Sequence, residues 1–196
     1  MVRSGQRGRR NREQLRSATL SADDFVGWAA AQPQGRFELM DGQVVAMAPE
    51  RMAHTRAKLR AVNALAASIV ASGLDCEAVT DGASIRIDDH TVYGADALVR
   101  CGPPVPDDAQ EVTDPIIVVE ILSPSSRGID TGLKLDGYFR LPSVRHYLVL
   151  NTDSRVVLHH HRDDRGAIGV QILHEGTLSL DPPGLVVQVS DLFASS

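Results

Sequence analysis

Four ionisable residues stand in patterns typical of a reactive site: Glu38, Asp96, Glu120 and Lys134. Glu120 is the clearest because it follows a β-branched run at residues 116–119, which predicts a strand buried on both faces of a sheet. An unpaired carboxylate in such a strand is costly, so Glu120 must be paired, protonated or bound to a cation. Its place near the end of the strand favours a ligand site over neutralisation by a nearby arginine.

The other three residues have structural alternatives. Asp96 interrupts the strand pattern YGADALV and could be an edge or turn residue. Of the 20 lysines and arginines, only Lys58 and Lys134 are lysines. A lysine in a chain that otherwise uses arginine indicates a compact donor or a titratable amine, whereas the alternative for Lys134 is a solvated surface pair with Asp130. Alternation does not decide whether Glu38 faces inward or faces solvent.

Two acids and a lysine are the groups that metal-dependent hydrolysis of a phosphodiester needs. Mg²⁺ prefers oxygen ligands, and an ammonium can orient water or neutralise developing charge. We expect Asp96 and Glu120 to share one ion, with the backbone carbonyl of Ile121 as a further ligand. We expect Lys134 to reach the same point and Glu38 to bind a water or a second ion. Because acids repel one another without metal, replacing either shared acid by its amide should leave the fold intact or more stable.

Two main helices and a curved sheet must position these residues. Helical periodicity predicts helices at about 51–72 and 130–141, after a short helix with an N-cap at Ser21. An Asp-Gly turn at 41–42 indicates a hairpin, and further short strand patterns follow. We therefore predict one α/β (α+β) domain over residues 19–196, with a mixed central sheet, two flanking helices and additional C-terminal β-hairpins.

Composition limits the class of protein. At 196 residues, with 43% hydrophobic and 23% charged residues, the chain suits one globular domain with its own core. No apolar stretch approaches the ~18 residues of a membrane span and no signal peptide opens the chain, so we expect a cytoplasmic protein without a membrane partner. Cys76 and Cys101 have no C-x-x-C spacing, which indicates neither a zinc site nor a disulfide.

The net charge of −5 hides a basic amino-terminal arm at residues 1–18. This arm carries six arginines against one glutamate, and the rest of the chain is acidic. Such an arm can bind phosphates without reading sequence, which makes Arg9, Arg10 and Arg12 candidate nucleic-acid contacts. The favoured interpretation of the arm is nevertheless a disordered leader.

Two histidine signals carry less weight. The three histidines at 159–161 cannot converge on one ion from a single strand, because the middle side chain points away from the other two. We expect them to form a solvated hairpin face. His54, near the start of the long helix, could approach the acids, but a lone histidine is weak evidence for a metal ligand.

The order and spacing of these motifs carry a family resemblance. FELMDGQVV, GADALV, PIIVVEILSPSS and DTGLKLDGYFRLPSVRHYLVL together resemble the "putative restriction endonuclease" (Uma-type) family of the PD-(D/E)XK nuclease superfamily. The closing segment GTLSLDPPGLVVQVSDLF resembles the family's carboxyl end, so the likeness covers residues 21–193. Each motif alone is weak, whereas their order is specific. The resemblance implies a restriction-endonuclease-like core.

The resemblance also implies a role for each of the four residues. Asp96 matches the superfamily's first metal acid, Glu120 matches the second, and Glu38 matches an acid on the first structural element. The superfamily lysine normally lies two residues after the second acid, where this chain has Leu122. In this family the lysine has moved to the next helix, which implies Lys134. An alanine, Ala95, also replaces the proline that normally precedes the first acid.

Together these observations predict a Mg²⁺-dependent endonuclease acting on DNA, with Mn²⁺ able to replace Mg²⁺. Because cutting both strands of a duplex needs two sites or two events, we expect a homodimer, with the hairpins of residues 145–175 as the contact surface. Two alternatives stay open. One is a catalytically silent nucleic-acid-binding module of the same fold, and the other is a metal-dependent hydrolase of a small phosphate ester.

Overall fold

A computed structural model describes residues 19–80, 84–122 and 130–193 of the chain. Its helices are α1 (Ala22–Ala30), α2 (Met52–Ser72) and α3 (Asp130–Arg140), with a 3-10 turn at Val189–Leu192. The strands are β1 (Phe37–Met40), β2 (Gln43–Ala46), β3 (Cys76–Thr80), β4 (Ser84–Asp88), β5 (Thr91–Gly94), β6 (Ala97–Cys101), β7 (Glu111–Val112), β8 (Ile117–Leu122), β9 (His146–Asn151), β10 (Val156–Arg162), β11 (Ile168–Leu173), β12 (Thr177–Leu180) and β13 (Leu185–Gln188). The candidate DNA contacts Arg9, Arg10 and Arg12 lie outside the described residues.

Local sequence signals explain where several elements begin and end. The hydroxyl of Ser21 accepts a hydrogen bond from the Asp24 N–H and caps α1. Asp41 and Gly42 both have positive φ, 49° and 76°, as a two-residue hairpin turn requires, and they join β1 to β2. Gly73 ends α2 in the left-handed conformation, with φ at 64°. These helix and hairpin predictions are confirmed.

Thirteen described strands form three sheets. The six-stranded sheet has the order β11-β10-β9-β8-β6-β3, the five-stranded sheet has the order β2-β1-β5-β4-β7, and β12 pairs with β13. β8 lies inside the larger sheet, parallel to β9 and antiparallel to β6. The mixed α+β class and the interior place of β8 are therefore confirmed. The sequence did not predict that β1, β2, β4 and β5 would form a separate second sheet.

Both faces of β8 are covered, as its apolar run predicts. On one face Val119 and Ile121 pack in a core that includes Leu65 of α2. On the other face Val118 packs in a core that includes Tyr138 of α3. Because side chains alternate along a strand, Glu120 projects to the same face as Val118, toward α3. Alternation therefore places Glu120 on the side of α3, whereas Val119 and Ile121 lie on the side of α2.

The two cysteines correct one expectation from the sequence. Cys76 on β3 and Cys101 on β6 form a disulfide, although their spacing predicts none. The antiparallel pairing of the two strands places these residues directly opposite each other, 25 positions apart along the chain. Only the strand register brings them together, and register cannot be read from cysteine spacing.

The histidine run corrects a second expectation. His159 is 3% exposed and is not on a solvated face. Its Nε2 lies 2.9 Å from Nδ1 of His146 on β9, and the other ring nitrogen of His146 lies 2.9 Å from the carbonyl oxygen of Pro182. The connection between β12 and β13 therefore reaches the buried histidine pair, which sequence alternation within β10 alone does not reveal.

Among the helices in the described ranges, none combines the length and the apolar character that a membrane span needs.

Candidate active site

The break between β5 and β6 places Asp96 beside the end of β8. The backbone N–H of Asp96 donates to the Val119 carbonyl at 3.1 Å. Its carboxylate Oδ2 accepts a hydrogen bond from the N–H of Ile121 at 2.7 Å. The interruption in the strand pattern is therefore a feature that ties the Asp96 carboxylate to the residue after Glu120. Asp96 is 5% exposed.

A second group, which we call the Lys134 cluster, consists of Lys134, Glu120, Glu38 and Tyr138. The Lys134 ammonium donates to Oε1 of Glu38 at 2.7 Å and to Oε1 of Glu120 at 3.1 Å. The Tyr138 hydroxyl donates to the same Glu120 oxygen at 2.8 Å. Lys134 is 5% exposed, which excludes the solvated surface pair with Asp130 as its setting. Three elements, β1, β8 and α3, thus meet at one ammonium.

A glycine lets α3 come close enough to deliver its lysine. A Cβ atom built at Gly137 would lie 2.6 Å from the ring of Tyr93 on β5, so a larger residue would push the helix away. The Lys134 ammonium lies 5.7 Å from the centre of that same ring. Glu38 is fixed from the other side, because its Oε1 accepts the N–H of Gly94 at 2.9 Å. Glu38 therefore faces inward, the point that alternation had left open.

Burial and charge set unusual pKa values in the Lys134 cluster. Burial, helped by the charges of Asp96 and Glu38, raises the pKa of Glu120 to about 7 against the opposing effect of the Lys134 ammonium. Burial alone would lower the pKa of Lys134, but the adjacent carboxylates outweigh it and the pKa is raised. Lys134 is therefore a fixed cation at neutral pH. Glu120 is near its point of half-protonation, a state that a bound divalent cation would shift toward the carboxylate.

A third group, which we call the Lys58 cluster, consists of Lys58, Glu50, His54 and Asp96. Oδ1 of Asp96 lies 3.0 Å from the Lys58 ammonium and 3.1 Å from Nε2 of His54. Lys58 also donates to Glu50, which in turn pairs with Arg36. Although burial alone would raise it, the His54 hydrogen bond, the charges of His54 and Lys58 and the Ile121 N–H lower the pKa of Asp96. Asp96 is thus a carboxylate at neutral pH.

The donors present suit a divalent cation. Asp96 and Glu120 offer carboxylate oxygens beside one strand end, and each already holds an ammonium at 3.0–3.1 Å, so both positions favour positive charge. Within the described part of the chain, one group of three acids or histidines has ligand atoms all within 4.8 Å of one another, namely Glu50, His54 and Asp96. Glu38 does not belong to that group. It lies across Lys134 from Glu120.

Comparisons with known proteins show the family and the fold of the chain. Residues 22–192 match the Uma2 family, which is described as "Putative restriction endonuclease". The chain belongs to the Uma2 family. The matched region contains the Lys134 and Lys58 clusters in full, so the acids and lysines described above lie within the Uma2 domain.

Two individual proteins are similar to this Uma2 chain. An uncharacterized protein of Synechocystis sp. is 30% identical over 148 residues, which cover 75% of this chain and 76% of that protein. A crystal structure from Anabaena variabilis, titled a putative nuclease belonging to DUF820, superposes with a TM-score of 0.67 at 13% identity. That match covers 88% of this chain and 97% of the Anabaena chain. At this identity the structural likeness shows the shared fold, and the family match places the chain among nuclease-like proteins.

Sequence reasoning missed part of the candidate site. Glu50, Lys58 and Tyr138 were not singled out as candidates, and His54 was given little weight. One signal for Lys58 was present, because the argument from the scarcity of lysine applies to it as well as to Lys134. Both lysines of the chain prove to be buried against carboxylates. No comparable signal marked Glu50, which lies in the connection that precedes α2.

Proposed function

We propose that this Uma2 protein is a Mg²⁺-dependent endonuclease that hydrolyses phosphodiester bonds in DNA. The observation that carries the proposal is the buried Lys134 ammonium, held by Glu120 and Glu38 at the strand end where Asp96 also lies. Asp96, Glu120 and the backbone carbonyl of Ile121 would hold the metal, and Mn²⁺ could replace Mg²⁺. A buried lysine among acids is costly to a fold and suits a reaction centre better than a purely structural role.

The chain's own residues would divide the work at this centre. When bound, Mg²⁺ would polarise the phosphoryl group and make hydroxide available. Lys134 would orient the attacking water or neutralise charge that develops on the phosphoryl oxygens, and its raised pKa keeps it protonated for that task. Glu38 would hold the Lys134 ammonium in place or bind a water. Tyr138 would hold Glu120 through its 2.8 Å hydrogen bond.

DNA as the substrate is supported by the family and by the amino-terminal charge. The Uma2 family is described as "Putative restriction endonuclease", and Arg9, Arg10 and Arg12 lie in an arm that could bind phosphates. We further propose that the protein acts in the cytoplasm. Disulfides are uncommon in that compartment. Thiol titration of freshly isolated protein would show whether Cys76 and Cys101 are bonded there.

We further propose a homodimer that pairs through β11, at the edge of the six-stranded sheet. Ile168, Val170 and Ile172 alternate along this strand and are 44%, 58% and 63% exposed. If two copies pair antiparallel about Val170, Ile168 meets Ile172 of the second copy and Val170 meets itself. The strand is therefore self-complementary, as a two-fold contact requires, and it lies within the hairpins that the sequence marked as the contact surface.

The dimer proposal is tested by placing a charge at its centre. Val170→Lys should convert the protein to a monomer in a mass measurement at tens of micromolar. Val186→Lys, at a valine that is 56% exposed on β13, is the matched control and should leave the mass of the wild type unchanged. A monomeric wild type at that concentration would contradict the proposal.

The activity itself is tested by titrating Mg²⁺ into metal-free protein, first alone and then with supercoiled plasmid DNA or a small phosphodiester such as bis-(p-nitrophenyl) phosphate. Metal binding with nicking of the plasmid supports the proposal. DNA binding without metal binding or nicking would instead indicate the silent binding module. Metal binding with inert DNA and a cleaved small ester would indicate a hydrolase of small esters.

A further inference from the structure

The Lys58 cluster contains a nitrogen donor, which the Asp96–Glu120 pair lacks. We propose that Glu50, His54 and Asp96 form a second metal site, specific for divalent transition ions such as Mn²⁺, Co²⁺ or Zn²⁺, and that the Lys58 ammonium occupies the cation position until the ion binds. The proposal rests on the proposed function in one respect, because Asp96 would be shared with the Mg²⁺ centre.

The geometry of the three side chains supports a site. Their ligand atoms all lie within 4.8 Å of one another, so small side-chain shifts would bring all three to bonds of about 2.0–2.2 Å to one ion. Asp96 presents its two oxygens in different directions: Oδ1 faces His54 and Lys58, while Oδ2 accepts the Ile121 N–H. One oxygen of the Asp96 carboxylate is therefore available to the Lys58 cluster while the other remains hydrogen-bonded to the end of β8.

Lys58 shows that a cation is already stable at this position. Its side chain is 3% exposed, and its ammonium lies between Glu50 and Asp96. A lysine buried so completely is tolerated only where carboxylates surround it. An ion that takes two of these carboxylates must compete with the ammonium, so Lys58 would tune the affinity of the site. The Glu50 side chain is 23% exposed, which gives a divalent ion a path from solvent.

The donor set indicates the class of ion. Mg²⁺ selects oxygen ligands, whereas imidazole suits Zn²⁺ and neighbouring transition ions, and carboxylates suit Mn²⁺. One imidazole and two carboxylates therefore favour a transition ion over Mg²⁺. The site lies on the Lys58 side of Asp96, whereas Glu120 faces Lys134. This ion would therefore be distinct from the one proposed between Asp96 and Glu120, although both would use Asp96.

The test is calorimetric titration of Co²⁺ into metal-free protein, with the visible absorption of bound Co²⁺ as a second readout. The variants are His54→Gln, Glu120→Gln and the matched control His174→Gln at an exposed histidine. His54→Gln should weaken one bound Co²⁺ about 10- to 100-fold and change its absorption, while His174→Gln should not. Glu120→Gln should retain the His54-dependent ion, and excess Mg²⁺ should not displace it.

Further variants keep the result unambiguous. Glu50→Gln, at a partly exposed side chain, should weaken the same ion even if His54→Gln folds poorly. Lys58→Met should tighten Co²⁺ binding about tenfold, because the competing ammonium is removed. Equal Co²⁺ binding by wild type, His54→Gln and Glu50→Gln would overturn the site, as would loss of one and the same ion in His54→Gln and Glu120→Gln. Unchanged binding by Lys58→Met would overturn the role of Lys58.

If the wild type cleaves neither DNA nor a small ester yet keeps the His54-dependent ion, the proposed function fails and this site stands. If the wild type cleaves DNA and binds no His54-dependent ion, the proposed function stands and the second metal site fails.

Discussion

The only two lysines of the chain lie between carboxylates on opposite faces of β8, and the two clusters differ in what surrounds the acid. Asp96 in the Lys58 cluster receives hydrogen bonds from the Ile121 N–H and His54 in addition to the Lys58 charge. Among the described residues, Glu120 in the Lys134 cluster shares the Lys134 ammonium with Glu38 and accepts a further hydrogen bond from the Tyr138 hydroxyl.

The two acids consequently titrate in opposite directions. The donors around Asp96 more than offset its burial and hold its pKa below the usual range. Burial dominates at Glu120 and raises its pKa to about 7. Two carboxylates that are equivalent in the sequence pattern thus differ in what they need: the described donors around Asp96 offset its burial, whereas the Lys134 ammonium does not offset the burial of Glu120. That difference is the physical reason to expect a metal at Glu120.

Loss of either acid should have the largest effect on activity. Asp96→Asn and Glu120→Gln should each lower plasmid cleavage about a thousandfold or more, because each removes a metal ligand and a negative charge. Cleavage time courses at saturating Mg²⁺ measure this, with circular dichroism to confirm folding. Cleavage at the wild-type rate by Glu120→Gln would contradict the proposal that Glu120 binds a metal that the reaction needs.

The lysines should differ in their tolerance of arginine. Lys134→Arg keeps the charge but replaces a compact ammonium by a larger planar guanidinium at a side chain that is only 6% exposed, so we expect about a hundredfold loss of cleavage. Lys58→Arg changes a cluster that is partly open at Glu50, and we expect a loss below about tenfold. Equal losses in the two variants would show that the clusters are functionally equivalent, against our account.

Sequence patterns predicted the buried charged residues beside β8 better than the residues that surround them. The apolar run of β8 and the scarcity of lysine pointed to Glu120 and Lys134, since both signals arise from the cost of burying charge. The same reasoning did not reach Glu50 or Tyr138, because their roles depend on which elements pack together. The disulfide of Cys76 was missed because it depends on the register of two strands that are distant in the sequence. The burial of His159 was missed because it depends on packing with residues that lie far away in the sequence.

Stability should also separate the two acids in metal-free protein. For Glu120 the folded pKa of about 7 exceeds the reference value of 4.5, so its favourable contribution is full below pH 4.5 and is lost as the pH rises through 7. Glu120→Gln should therefore be more stable than wild type by about 1–3 kcal/mol at pH 8, with the difference shrinking toward pH 4.

Asp96 should show the opposite sign. Its folded pKa is lowered from 3.8, so its contribution is present above pH 3.8 and is lost at more acid pH. Asp96→Asn should cost about 1–3 kcal/mol at pH 8, because Lys58 loses a carboxylate. Urea unfolding in EDTA across this pH range measures both variants. The sequence alone predicted intact or increased stability for both variants. Stabilisation by Asp96→Asn would agree with that prediction and contradict the opposite sign expected here.

The smallest effect should come from Tyr138→Phe. This change removes one hydrogen bond to Glu120 while Lys134 remains, so it should cost about 1 kcal/mol in unfolding free energy. Cleavage should fall less than about tenfold, since Glu120 keeps its charge and place. A loss as large as that of Glu120→Gln would mean that the tyrosine itself takes part in the chemistry.

A crystal of the protein soaked in Mn²⁺ tests the metal at Glu120. Anomalous difference density locates the ion independently of any activity assay. Our account predicts a peak bound by the carboxylates of both Asp96 and Glu120, at about 2.1–2.2 Å from each, and its loss in Glu120→Gln. The two carboxylates lying more than about 8 Å apart with no ion between them would contradict the account, because one ion cannot span that distance.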